Sequence, residues 1–428
     1  MAAICTDGDS TLIGRYNGLG AKLQKTVGYL LSVHCAVHKT ALALGDTAKE
    51  MEDLQELDVV LKAVHNLFSK LGSRQMQWTR FDRRRGVSKL QFPLFNATRW
   101  FSRAQCVASL QENLATLILF LKRKSGKKGW EKVADLLKSV TDVTFICLLH
   151  SVADVLKSLE EFRKYFEQES NLPHKISGRL EVCLYALRDI CGSEDRVGGD
   201  KLKQFLKSVQ ENGTTKDLIW QVNESCRIPL IGHPGFSVEH VHVFIKVLVE
   251  EIESNLLERF PDGDVLSAFK IVDPTFYRSL KQSKLDKFDV SDYKILLRHF
   301  CNMTKREQLF PIDASVLSQV NKEFSKMKHL LWLAAKDPHV EFLLVWRNIH
   351  DERGLELGYM LKFVYLCLVI PSIVPLLNEV FLCTIVLKPS LEIGCVSKQL
   401  MQSFGQDVGK VFGEFRLFTI EELYHHKP

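Results

Sequence analysis

The chain opens with two short apolar runs separated by a polar turn and an amphipathic stretch. Ile4-Cys5-Thr6 delivers Asp7 to the turn Gly8-Asp9-Ser10, and Tyr29-Leu30-Leu31-Ser32-Val33 ends in His34-Cys35-Ala36-Val37-His38. This pattern predicts a strand, a helix and a parallel strand. It places Asp7 and Cys35 at the carboxyl ends of the strands, where crossover units carry functional side chains.

After His38 the apolar period lengthens. Leu54, Leu57, Leu61, Val64, Phe68 and Leu71 recur at three- and four-residue intervals, which predicts an amphipathic helix from Asp53 to Leu71. Asn96 or Thr98 suits the cap of a second helix running to about Leu121. From Trp130 to about Val345 the only period is helical, with full helices expected over 238–259 and 314–335. No fixed-length repeat marks a solenoid. The final apolar stretch, Tyr359 to Leu377, is long enough to approach a bilayer span. Pro371, Pro375 and Glu379 are costly in lipid, so the stretch and the following run from Val380 to Leu387 predict a buried helical hairpin and no membrane.

Composition narrows the class. The 428 residues allow two or three domains with a sizeable core. A net charge of +6 permits an acidic partner without requiring one. Eleven scattered cysteines with no C-x-x-C pair read as reduced thiols of the cytosol or nucleus, and no secretory leader is expected.

Three basic features are candidates for nucleic-acid contact. Arg83, Arg84 and Arg85 follow an aromatic residue, and such a run either solvates a surface or neutralises phosphates. Arg99-Trp100 at a helix start either packs or clamps a phosphate and stacks on a base. Lys122-Arg123-Lys124, with Lys127 and Lys128, resembles a nuclear-import signal.

Three blocks in sequence order resemble the hAT superfamily of transposases, in particular host zinc-finger proteins that carry a hAT dimerisation region. The first joins Thr6-Asp7-Gly8 and Gly14-Arg15-Tyr16-Asn17-Gly18 to the motif with His34, Cys35 and His38. The second is Thr98-Arg99-Trp100. The third runs from Phe260-Pro261 and Asp273-Pro274 through Trp346, Leu368-Val369-Ile370-Pro371 and Glu379-Val380-Phe381. The resemblance covers residues 4 to about 388.

The resemblance implies a mostly α fold with a small α/β element: a truncated ribonuclease H-like core, reduced to one parallel strand pair, interrupted by a large helical insertion. The expected divisions are 1–110 for the partial core, 111–335 for the insertion, 336–390 for the dimerisation-like region and 391–428 for a divergent tail. Asp7 corresponds to the family's second catalytic acid and Glu379 to the third. The first acid lies on an earlier strand that this sequence does not contain, so both read as relics, with no catalytic residue, metal or cofactor. Family catalysis needs three carboxylates around two cations. His34, Cys35 and His38 do not make a zinc site, because a second ligand pair is missing.

The resemblance implies a domesticated nuclear protein that does not act as an enzyme. One reading is a homodimer paired through Trp346, Phe363, Leu366, Ile370 and Phe381 that associates with chromatin or regulatory proteins. A second is DNA binding without cleavage, and a weaker third is a residual metal-dependent nuclease.

Overall fold

A computed structural model of the chain describes residues 3–6, 18–26, 28–69, 72–83, 92–94, 100–130, 133–166, 172–192, 198–211, 218–232, 238–260, 265–288, 290–301, 314–370, 380–381, 386–388 and 392–394; for a few of these, including the last three segments, it describes the backbone alone. The fold is mostly helical. It divides into two compact units, one of residues 1–39, 165–179 and 261–428, the other of residues 40–164 and 180–260. Position 110/111 lies inside the second unit and 335/336 inside the first, so the units divide the chain at other places than the sequence suggested.

In the first unit the expected crossover is present. Strand β1 (Ala3–Thr6) and strand β2 (Leu31–His34) pair in parallel, Ala3 opposite Leu31 and Thr6 opposite His34, with helix α1 (Leu19–Thr26) between them. All four β1 residues are buried. The sheet has three strands, not the single parallel pair expected. A third strand, Val380–Phe381, lies antiparallel on the free edge of β1, with Cys5 opposite Phe381 and Thr6 opposite Val380. That corrects the helical-hairpin reading of this stretch: β-branched and aromatic residues pair with the open backbone groups of β1.

Past residue 264 the described residues of the first unit include 3-10 turns at Ser267–Val272, Pro274–Tyr277, Gln282–Lys287 and Gly354–Glu356, and four helices. Those helices are Val290–Phe300, Ala314–Ala334, Phe342–Arg353 and Gly358–Val369. The last begins where it does because Glu323, buried on the Ala314–Ala334 helix, accepts from Tyr359 N at 2.7 Å and Met360 N at 3.2 Å. A carboxylate at a helix start satisfies two orphan N–H groups and the helix dipole.

In the second unit the predicted helices form with shifted ends, Glu52–Ser69 and Trp100–Lys124, and Val238–Arg259 forms as expected. The reading of purely helical structure after Trp130 is overturned at residues 209–229. Val209–Glu211, Leu218–Asn223 and Cys226–Pro229 form an antiparallel meander, Trp220 opposite Ile228. The two outer strands are only three and four residues long, and the six-residue centre opens with the continuous apolar run Leu218-Ile219-Trp220, so no alternation competes with the helical period around them. Helix Asp200–Ser208 leads into the meander and starts on the buried Asp154, which accepts from Lys201 N at 3.0 Å and Leu202 N at 3.1 Å. Gly199 allows that approach: a Cβ there would sit 2.4 Å from Asp154 Cγ.

One described helix, Ser102–Lys124, is long and apolar enough to cross a membrane by length and composition alone. Its apolar residues instead fill the second unit's interior: Leu110, Leu114, Leu117, Ile118 and Leu121 are fully buried. Near its start Arg103 meets the buried Asp58 in a two-pronged pair, Nε to Oδ1 at 2.8 Å and Nη2 to Oδ2 at 2.5 Å.

Candidate functional site

The strand-end motif sits in the first unit. Cys35 N donates to Thr6 O at 2.8 Å, which holds His34 and Cys35 at the carboxyl ends of β1 and β2. Cys35 points into the core, and the half-buried rings of His34 and His38 lie 5.4 Å apart. No three metal-ligating side chains gather among the described residues. Asp7 and Glu379 lie outside the described residues; their chain neighbours Thr6 and Val380 are paired partners.

A second polar cluster in the same unit was not visible in the sequence. His174, in the 3-10 turn Pro173–Lys175, lies 2.8 Å from Asp273 Oδ2 through Nε2 and 3.4 Å from Cys367 Sγ through Nδ1. Lys175 Nζ is 3.3 Å from the same carboxylate, and Thr275 donates to it from N and Oγ1. Burial by itself would raise the Asp273 carboxyl, but the hydrogen bond from His174, the adjacent charge and the Thr275 donor hold it well below the usual carboxylate range. Burial keeps His174 neutral and pushes the Cys367 thiol well up. The roles follow: His174 Nε2–H donates to Asp273, and Nδ1 accepts from the Cys367 S–H. Although a Cys-His-Asp series of this kind resembles a nucleophilic triad in outline, here the thiol is fully buried and protonated. It is a structural tie, since a nucleophile needs a thiolate and access.

Among the described residues, a basic feature reaches the surface in the second unit, at the carboxyl end of the Trp100–Lys124 helix. Lys122 and Arg123 are exposed there, and the turn that follows presents Lys127 and Lys128. Gly126 and Gly129 close that turn at φ of 78° and 83°, a backbone region glycine tolerates, and nothing crowds either position. Arg74, on the helix Gly72–Arg83, donates from Nη2 to Gly129 O at 2.6 Å and lies 4.9 Å above the Trp130 ring. Lys124 lies 5.0 Å over the same ring and is hydrogen-bonded to Gln77. Burial lowers the Lys124 pKa, and the charges of Lys127 and Arg123 lower it further. Two cations, Arg74 and Lys124, therefore share one aromatic floor, and the charges of Arg123 and Lys127 bear on Lys124, a local field that an anion would relieve.

Among the described residues the sequence candidates are not gathered in one place. Trp100 opens the helix that Lys124 closes, so about 36 Å of helix separates them. Arg83 closes its own helix with its side chain outside the described residues, and Arg84, Arg85 and Arg99 lie wholly outside them. Trp346, Phe363, Leu366 and Ile370, expected on a pairing surface, belong to the first unit's own hydrophobic core. Trp346 also donates from Nε1 to Val272 O at 2.7 Å. Only the backbone of Phe381 is described, in the edge strand on β1. The sequence missed Arg74 and Trp130 as members of the basic cluster; the Trp after Lys127-Lys128-Gly129 was its one local sign. Comparison of the chain with models of known protein families finds no match.

Proposed function

We propose that this chain is a domesticated, non-cleaving hAT-like protein of the nucleus that works by binding, with nucleic acid held at the carboxyl end of the Trp100–Lys124 helix. The cluster of Arg74, Lys122, Arg123, Lys124, Lys127 and Lys128 carries this reading: Lys122, Arg123, Lys127 and Lys128 are exposed, and the charges of Arg123 and Lys127 bear on Lys124, which favours a polyanion. Thr6 and Val380, the neighbours of the two expected relic acids, pair with each other, on an edge strand where the family carries its last acid on a helix. Self-association remains part of the family expectation, but Phe363 and Leu366 face the interior, so a pairing surface would use other residues.

The test is binding of a fluorescent DNA duplex across a salt series. Binding should weaken steeply with salt, and the Lys122→Glu/Arg123→Glu/Lys127→Glu variant should flatten the log–log slope by about 2 to 3. Unchanged affinity in that variant would remove the assignment. Magnesium-dependent cutting abolished by Asp7→Asn and by Glu379→Gln would overturn the non-cleaving reading.

A further inference from the structure

The second unit carries, in addition, a cleft of about 790 Å³ that nothing above uses. It lies between the helix Glu52–Ser69, the junction of helices Val133–Thr141 and Val143–Phe166, and the helix Val238–Arg259. Its floor is apolar. Val59 is 65% exposed there, and Phe145 and Phe244 are only partly covered. Val243 and Val247, 59% and 41% exposed, lie at helical spacing from Phe244 and His240 and continue the apolar face along the same helix.

The rim is acidic. Asp53, Glu56, Asp135 and Asp142 face the cleft against a single Lys138, an excess of acidic side chains in a chain of net charge +6. Asp142 spends one oxygen on Thr144 N and Phe145 N at the start of its helix. Asp53, Glu56 and Asp135 have no ion pair with any described residue. Exposed valines beside half-covered phenylalanines are unfavourable in water, and unpaired carboxylates around them select the charge of what covers them.

We infer that this cleft docks an amphipathic helical segment of a partner protein, its apolar face on Val59, Phe145 and Phe244 and its flanking lysines or arginines on Asp53, Glu56 and Asp135. A groove between helices, apolar at the bottom and charged at the edge, matches helix-in-groove recognition. The inference is independent of the nucleic-acid reading, which uses the opposite charge on different residues.

The probe is a labelled Leu/Lys amphipathic helix of about 14 residues, titrated by fluorescence anisotropy against the full chain, with its Leu/Glu counterpart as control. The Leu/Lys helix should bind and the Leu/Glu helix should not. Asp53→Lys/Glu56→Lys and, separately, Val59→Asp should each weaken binding at least tenfold; all three positions are exposed, so folding should be retained and is checked by circular dichroism. Equal binding of the two helices, or binding indifferent to Val59→Asp, overturns the proposal. So does a concentration-dependent dimer of the chain alone that Val59→Asp dissolves, since the occupant would then be a second copy.

Discussion

The helices Gly358–Val369 and Trp100–Lys124 are both strongly apolar, yet their ends differ. The first disappears into its unit: Phe363, Val364, Leu366 and Cys367 are buried, and Cys367 finishes against His174. The second buries its apolar stripe through Leu121 but then emerges as Lys122, Arg123 and the Gly-flanked lysine turn. An apolar stripe therefore does not distinguish a binding face from a core. What distinguishes them is whether the stripe ends in uncompensated charge at the surface.

The widest gap between the two helices should appear on mutation. Phe363→Asp buries a carboxylate with no partner and should cost upwards of about 5 kcal/mol, unfolding the first unit instead of dissociating a dimer. Lys122→Glu/Arg123→Glu should leave stability within about 0.5 kcal/mol, because exposed substitutions rarely do more. Chemical denaturation followed by circular dichroism measures both. A folded, monomeric Phe363→Asp protein would restore that residue to a pairing surface.

The buried ionic ties offer the next contrast. Removing one partner of a buried pair typically costs about 3–5 kcal/mol, since the other charge stays behind. Arg103→Met should lose that much, as it strands Asp58, whereas the double change Arg103→Met/Asp58→Leu should recover most of it. Asp273→Asn should cost a similar amount by weakening the contacts from His174, Lys175 and Thr275 together. A loss under about 1 kcal/mol in either single variant would show that the tie is solvated in solution.

How much of this was legible follows the same division. Helices with long periodic faces, such as Glu52–Ser69 and Val238–Arg259, were readable because burial of Leu54, Leu57, Leu61 and Val64 repeats over several turns. The crossover of β1 and β2 was readable from its two apolar runs. The meander around Trp220 and the edge strand Val380–Phe381 were not: Leu218-Ile219-Trp220 is an apolar run without alternation, and the two-residue strand Val380–Phe381 is stabilised by β1, far away in sequence. The basic end was half readable. Lys122 to Lys124 stood out as a run, but Arg74 joins it only through Trp130 and Gly129, some 50 residues on. His174, Asp273 and Cys367 were individually unremarkable, and only the fold brings them together.

The smallest expected effect is a pH dependence that reports on the second unit alone. His150 is buried, its Nδ1–H donating to Ile146 O at 2.9 Å and its ring stacked on Phe205, and burial lowers its pKa from 6.5 to about 4. The unfolded chain therefore takes up this proton first as pH falls. The stabilisation is full above about pH 6.5, declines through the interval, and levels off near pH 4. At about 1.4 kcal/mol per pH unit the whole loss is about 3 kcal/mol. Urea midpoints at pH 7 and pH 4.5, read by tryptophan fluorescence, to which Trp220, packed edge-on against Phe205, contributes, should show it. His174 is also lowered by burial, so acid weakens the first unit in the same direction. Comparison with His150→Phe isolates the second unit: the difference between wild type and variant should narrow as pH falls. A difference that stays constant from pH 7 to 4.5 would mean that His150 titrates in the folded protein as it does in the unfolded chain, and that water reaches it.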